Sequence, residues 1–161
     1  MTERMLSTMS PEGDRVLVRV QDVYDTTVED LWSAVTEPAR LARWIAEVSG
    51  DLRVGGTFTA RFTSSWEGTG EVLECAPPHR LRVSTREEGA EPNEIEVVIT
   101  ADGDGARLVV EEHGFLPEAA PAHAAGWQVH LEDLGAALAD GPSSDWATRW
   151  RELIPAYRSG A

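Results

Sequence analysis

Two side chains in the second half of this chain, Glu112 and His130, are of the types that move protons. Glu112 follows Leu108 and Val110 at a spacing of two, so alternation along a strand turns its carboxyl toward the same apolar side. A carboxylate placed there is harder to ionise and can serve as proton donor or acceptor. The competing placement is a wet cavity mouth, reached if the strand bends near Gly114. His130, one residue before Leu131 on a later helix, lies near the same face, so the two could form an acid–base pair. Both are candidates, and no catalytic residue is assigned. His123 and His130 are seven apart and His113 is close by, but ligands on one helix usually sit three or four apart, so no metal is expected. The sequence has no Gly-x-Ser-x-Gly elbow, phosphate loop or dinucleotide fingerprint, and no cofactor is expected. All 14 basic residues are arginine, which removes Schiff-base and lysine-base mechanisms.

The elements that must position these groups follow from period and punctuation. Val16, Val18 and Val20 alternate with polar neighbours as a half-buried strand. Thr26 with Glu29 three residues on forms a capping box, which starts a helix with Val28, Leu31, Trp32 and Val35 on one face. Pro38 ends it and opens a second short helix over residues 38–45, with Leu41 and Trp44 inward. Residues 51–115 switch to period two, broken by turn residues, as antiparallel strands joined by hairpins. One face takes Phe58, Ala60 and Phe62, Gly70 and Val72, Leu81 and Val83, Ile95, Val97 and Ile99, and Leu108 and Val110. The other takes Thr59, Arg61, Glu71, Arg82, Arg86, Glu94, Glu96, Arg107 and Glu111, which can pair across strands in water.

A long helix then carries His123, Trp127, His130 or Leu131, Leu134 and Leu138 until Gly141-Pro142 stops it. In a last helical segment, residues 145–157, Asp145 or Ser144 provides a cap and Pro155 is expected to kink or end the helix. Trp146, Trp150 and Tyr157 are costly to leave exposed as one stripe, so they should cover the domain's own surface or that of a partner in a homodimer.

At 161 residues the chain is sized for one domain: a flexible N-terminus over residues 1–14, a folded unit over 15–141, and a helical extension over 142–161. A net charge of −14 opposes polyanions, so nucleic acid is not an expected partner. No apolar run reaches the ~20 residues that span a bilayer, and the polar first residues lack a signal-peptide core; the expected location is the cytoplasm, without membrane association. Cys75 is the single cysteine and reads as a small buried apolar residue.

The motifs Thr26-x-x-Glu29-x-Leu31-Trp32, Trp44, Gly55-Gly56-x-Phe58, Gly70-x-Val72, Pro77-x-x-x-Leu81, Gly114-Phe115 and Gly126-Trp127 occur in an order that resembles the SRPBCC (START-like, birch-pollen-allergen-like) superfamily. Within it, the chain is similar to bacterial homologues of the heat-shock-protein-90 ATPase activator. The resemblance implies an α+β helix-grip fold. A bent antiparallel sheet of about six to seven strands would grip the long late helix, with a cavity between them for a small apolar or amphipathic molecule. The implied lining is Trp44, Phe58, Phe62, Trp66, Val72, Leu81, Val83, Val97, Ile99, Leu108, Val110, Glu112, Trp127, His130, Leu131 and Leu134. The same residues would also serve as ordinary core, and Gly70 and Ala60, by removing bulk, favour a hollow. A binding module, a cyclase- or hydrolase-type enzyme and a chaperone-associated protein all remain open, because the fold does not choose among them.

Overall fold

The computed structural model describes residues 4–159 as an α+β helix-grip fold. Its elements are β1 (Ser7–Glu12), β2 (Arg15–Tyr24), α1 (Val28–Thr36), α2 (Pro38–Leu41), β3 (Ala46–Gly50), β4 (Thr57–Phe62), β5 (Glu67–Ala76), β6 (Arg80–Arg86), β7 (Asn93–Asp102), β8 (Gly105–Phe115), α3 (Ala120–Leu138) and α4 (Trp146–Ser159). Eight strands form one antiparallel sheet in the order β1-β2-β8-β7-β6-β5-β4-β3. The expected six to seven are exceeded because β1 and β3 were not legible. β1 falls in the stretch read as flexible; apart from residues 1–3, which lie outside the described residues, that expectation is corrected. Its pairing with β2 runs from Ser7↔Val20 to Glu12↔Arg15. Polar contacts rather than apolar alternation anchor it: Gln128 Oε1 accepts from the Leu6 N–H at 3.1 Å, and Tyr157 Oη accepts from the Ser7 N–H at 2.9 Å.

The first helix is capped one residue later than expected. Thr27 Oγ1 accepts from the Asp30 N–H at 3.0 Å, and Thr26 Oγ1 donates to the Asp30 carboxylate at 2.6 Å, so Asp30 takes the part assigned to Glu29. The second helix stops at Leu41, and a turn carries Trp44 and Ile45 into the core; the Trp44 indole donates to the Ala34 carbonyl at 3.0 Å.

Apolar alternation fills the concave side as expected: Val18, Val20, Ile99 and Leu108 meet Leu131 and Leu134 of α3, all fully buried. The opposite face carries cross-strand ion pairs, among them Arg80–Glu74 and Arg80–Glu96, and Arg82 bonded to Glu94. Cys75 is exposed rather than buried, because it lies past the register shift between Val72 and Glu74, where the buried–exposed alternation of β5 ends.

The long helix is buried on nearly every side, from Ala124 to Leu131, because α4 covers the face that the sheet does not. Asp145 caps α4, accepting from the Thr148 N–H at 3.2 Å. Pro155 does not end this helix, which continues to Ser159. A proline removes one backbone hydrogen bond, and the burial of Leu153, Ile154 and Tyr157 holds the turn against that loss. No helix among the described residues is long and apolar enough to cross a membrane.

Candidate functional site

At one end of the gripped helix, where the β4–β5 turn, the sheet, α3 and α4 meet, a pocket of about 560 Å³ opens to the surface. The turn brings Phe62 and Trp66 together edge-on at 5.1 Å, with Ser65 in the left-handed region at φ 78°. The sheet contributes Thr85, Ile95 and Glu112; α3 contributes His123, Gly126, Trp127 and His130; α4 contributes Trp146, Ala147, Trp150 and Arg151. Trp146 and Trp150 stack with ring centroids 6.0 Å apart, and the Trp150 indole donates to the Ala122 carbonyl at 2.9 Å. Gly126 admits them: a β-carbon there would come within 3.3 Å of the Trp146 ring.

Glu112 reaches the pocket by the alternation that also turns Leu108 and Val110 inward, and the irregularity in β8 comes just after it. Val18 pairs with Glu112 but Val16 pairs with Phe115, so β8 spends one extra residue between them, absorbed at Gly114 with φ 97°. Glu112 and Phe115 therefore both turn inward. Glu112 Oε1 accepts from the Trp127 indole at 2.9 Å and Oε2 accepts from the Asn93 amide at 3.2 Å. Desolvation pushes the Glu112 pKa from 4.5 up to about 6, against the opposing pull of these two bonds and of the charge on His113. The carboxyl faces apolar neighbours and is still reached from the pocket, which joins the two placements the sequence left open.

His130 is buried, and burial pushes its pKa down to about 3 against a smaller opposing effect of a hydrogen bond to the backbone of Trp44. It is therefore neutral at physiological pH. Rings surround it: Trp127 at 5.7 Å, Phe62 at 5.8 Å and Trp146 at 5.5 Å between centroids. The expected acid–base pair does not form. Trp127 takes the Glu112 oxygen and packs against the His130 ring, so the two titratable groups share a pocket without a bond between them. His130 Nδ1 and Trp146 Nε1 are both buried without a hydrogen-bond partner.

The three histidines do not converge. His123 stacks on Phe115 at 4.3 Å, and His113 lies on the outer face beside Glu12 at 3.0 Å. On that face Glu94, Glu96 and His113 bring ligand-type atoms within 4.8 Å of one another, a grouping that helical spacing could not bring to notice. Arg82 and Arg80 already hold the two carboxylates.

Of the expected lining, Phe62, Trp66, Glu112, Trp127 and His130 border the pocket. Trp44, Phe58, Val72, Leu81, Val83, Val97, Ile99, Leu108, Val110, Leu131 and Leu134 do not; all but the half-buried Leu81 and Val83, which pack against it, belong to the buried interior. The long helix packs against β1 and β2 at one side of the sheet, and α1 packs against β7 and β8. Gly70 does not open a hollow, because the Phe58 ring occupies the place its side chain would take. The wall formed by α4 was missed. Its signal was a tryptophan pair four apart on a helix beyond the strand–helix core, which required cover and received it by flanking a cleft.

A family model described as Activator of Hsp90 ATPase homolog 1-like protein matches residues 25–139. The crystal structure of CalU16 from Micromonospora echinospora is similar at a TM-score of 0.78, with 31% identity over 95% of this chain and 92% of CalU16. DynU16, described as a protein in the dynemicin biosynthetic locus, is similar at a TM-score of 0.74 with 25% identity over 80% of this chain and 50% of that one. A solution structure of protein BPP1335 from Bordetella parapertussis shares the fold, at 21% identity, a TM-score of 0.72, and coverage of 98% of this chain and 94% of that one. No curated protein matches the chain.

Proposed function

The chain belongs to the Activator of Hsp90 ATPase homolog 1-like family of the SRPBCC superfamily, and from that premise we propose that it is a small-molecule binding protein whose guest sits in the aromatic pocket at the end of α3. One observation carries the reading: Phe62, Trp66, Trp127, Trp146 and Trp150 wall a cleft of about 560 Å³ with a single carboxyl, Glu112, among them. Pockets of this size and lining suit compact, largely apolar molecules held in orientation by a few polar groups. The place of DynU16 in a biosynthetic locus fits a guest of biosynthetic origin.

The test is fluorescence of N-phenyl-1-naphthylamine, a neutral apolar probe, with native mass spectrometry of the gently purified protein. Ala147 is exposed at the mouth, so Ala147→Trp narrows the entrance without touching the core. Probe fluorescence should rise with the native chain and fall back with Ala147→Trp, and mass spectrometry should show a co-purified small molecule on the native chain alone. No enhancement, or an equal one in the variant, overturns the reading.

A catalytic reading has one observation in its favour, the Glu112 carboxyl with a pKa of about 6 facing the pocket. Glu112 would then move the proton alone, because His130 is neutral and not bonded to it. Under this reading Glu112→Gln abolishes turnover; unaltered turnover rules it out. A chaperone-associated role rests on the family's name, and a pull-down lacking the chaperone counts against it.

A further inference from the structure

The Glu112 carboxylate has two hydrogen-bond donors and no ion-pair partner. Both donors, the Trp127 indole and the Asn93 amide, are neutral, and among the described residues no arginine or histidine lies within ion-pair distance of it. The arginines of neighbouring strands face the other side of the sheet, where Glu74, Glu94 and Glu96 hold them. The carboxylate instead shares its pocket with aromatic rings. Trp127 meets it through the indole N–H, while Trp66, Phe62, Trp146 and Trp150 line the same pocket. Rings around a carboxylate form the arrangement that recognises an organic cation, since ring faces attract positive charge and the carboxylate supplies the counter-ion. The chain's net charge of −14 adds a field that draws cations in.

We propose that the pocket's preferred guest is a compact organic ammonium ion, its cationic centre seated between the Glu112 carboxylate and the tryptophan faces. The inference deepens the binding reading above and rests on it. A neutral hydrocarbon guest would leave Glu112 ionised in an apolar site with its two hydrogen bonds but no counter-ion, which favours the cation over a neutral molecule of the same shape.

Every titratable group around Glu112 bears on the pH dependence. His113, next along β8, faces the outer side between Glu12 and Glu96. On β7, Glu94 and Glu96 face outward. On α3, burial lowers the pKa of both His123 and His130, the latter to about 3. On α4, Arg151 is exposed at the mouth. Glu112 is therefore the carboxyl at the pocket whose charge changes between pH 5 and pH 8, with His113 acting on it from the outer face.

Benzyltrimethylammonium and its uncharged isostere 2,2-dimethyl-1-phenylpropane test this directly, titrated into the native chain at pH 8 and pH 5 and into Glu112→Gln. The cation should bind about tenfold or more tightly than the isostere at pH 8. Most of that preference should disappear at pH 5 and in Glu112→Gln, because the cation binds less tightly there while the isostere binds at least as well as at pH 8. If Glu112→Gln alters the fold, the pH comparison on the native chain stands alone. An isostere that binds as well as the cation at pH 8, or a preference that survives at pH 5, overturns the inference and leaves the binding reading in place. Failure of both probes to bind under every condition overturns both.

Discussion

Glu112→Gln should stabilise the unliganded protein, and only on the alkaline side. The folded chain raises the Glu112 pKa from 4.5 to about 6, so between those values the folded state holds a proton that the unfolded state has released. Stability from this group is therefore fully present below about pH 4.5 and is lost as the pH rises through 6. The shift corresponds to about 2 kcal/mol at most, and water in the pocket reduces it toward 1. Glutamine keeps an acceptor for the Trp127 indole, and its amide can donate to Asn93 once that side chain turns over, so little hydrogen bonding is lost. For a chain of this length, about 1–2 kcal/mol corresponds to a rise of roughly 3–6 °C in Tm. Calorimetry at intervals from pH 4 to pH 8 should show the variant matching the native protein at the acid end. Above pH 6 it should melt several degrees higher. Asp30, Asp51 and Glu74, whose pKa values arginine partners lower, also make the native protein pH-dependent, but they are common to both chains and cancel in the difference. A difference that is flat across this range, or that grows toward acid, would refute the placement of Glu112 in a desolvating site.

Trp127→Phe removes one donor to Glu112, so the carboxyl pKa should rise further, and ¹³C NMR titration of the side chain should show the midpoint moving to higher pH. Gly70→Ala drives a β-carbon into the Phe58 ring and should cost about 1–3 kcal/mol in urea unfolding, with partial recovery when Phe58→Leu is added. Tyr157→Phe deletes the hydroxyl that accepts from the Ser7 N–H and donates to Gln128, at a cost of about 1–2 kcal/mol; amide exchange should accelerate in β1 more than in β7.

The order of elements and the inward face of the sheet were legible because they rest on period and capping, which are local. Val97 and Ile99, Leu108 and Val110 lie where alternation puts them. Glu112 was legible for the same reason, although the extra residue at Gly114 that also turns Phe115 inward was not. What alternation could not tell is how close the helix lies to the strands, which decides whether an apolar side chain is wall or core. Nine of the expected lining residues proved to be buried core, and Leu81 and Val83 pack half-buried against it. The β1 strand escaped notice because long-range hydrogen bonds to Gln128 and Tyr157 hold it, and no local pattern announces those. His130 shares the pocket with Glu112, but its ring is enclosed by other rings, a three-dimensional fact with no trace in spacing.

The helix α4 lies outside residues 25–139, the stretch that carries the family likeness, yet Trp146, Ala147, Trp150 and Arg151 form one side of the pocket. The stretch that carries the family likeness and this wall of the pocket are thus separate pieces of chain. Sheet and gripped helix can stay constant under selection for folding while a short appended helix, seated on Gly126 through its tryptophans, is exchanged or lost. Relatives with the same scaffold but another extension would then take different guests, and substrate range would diverge faster than fold.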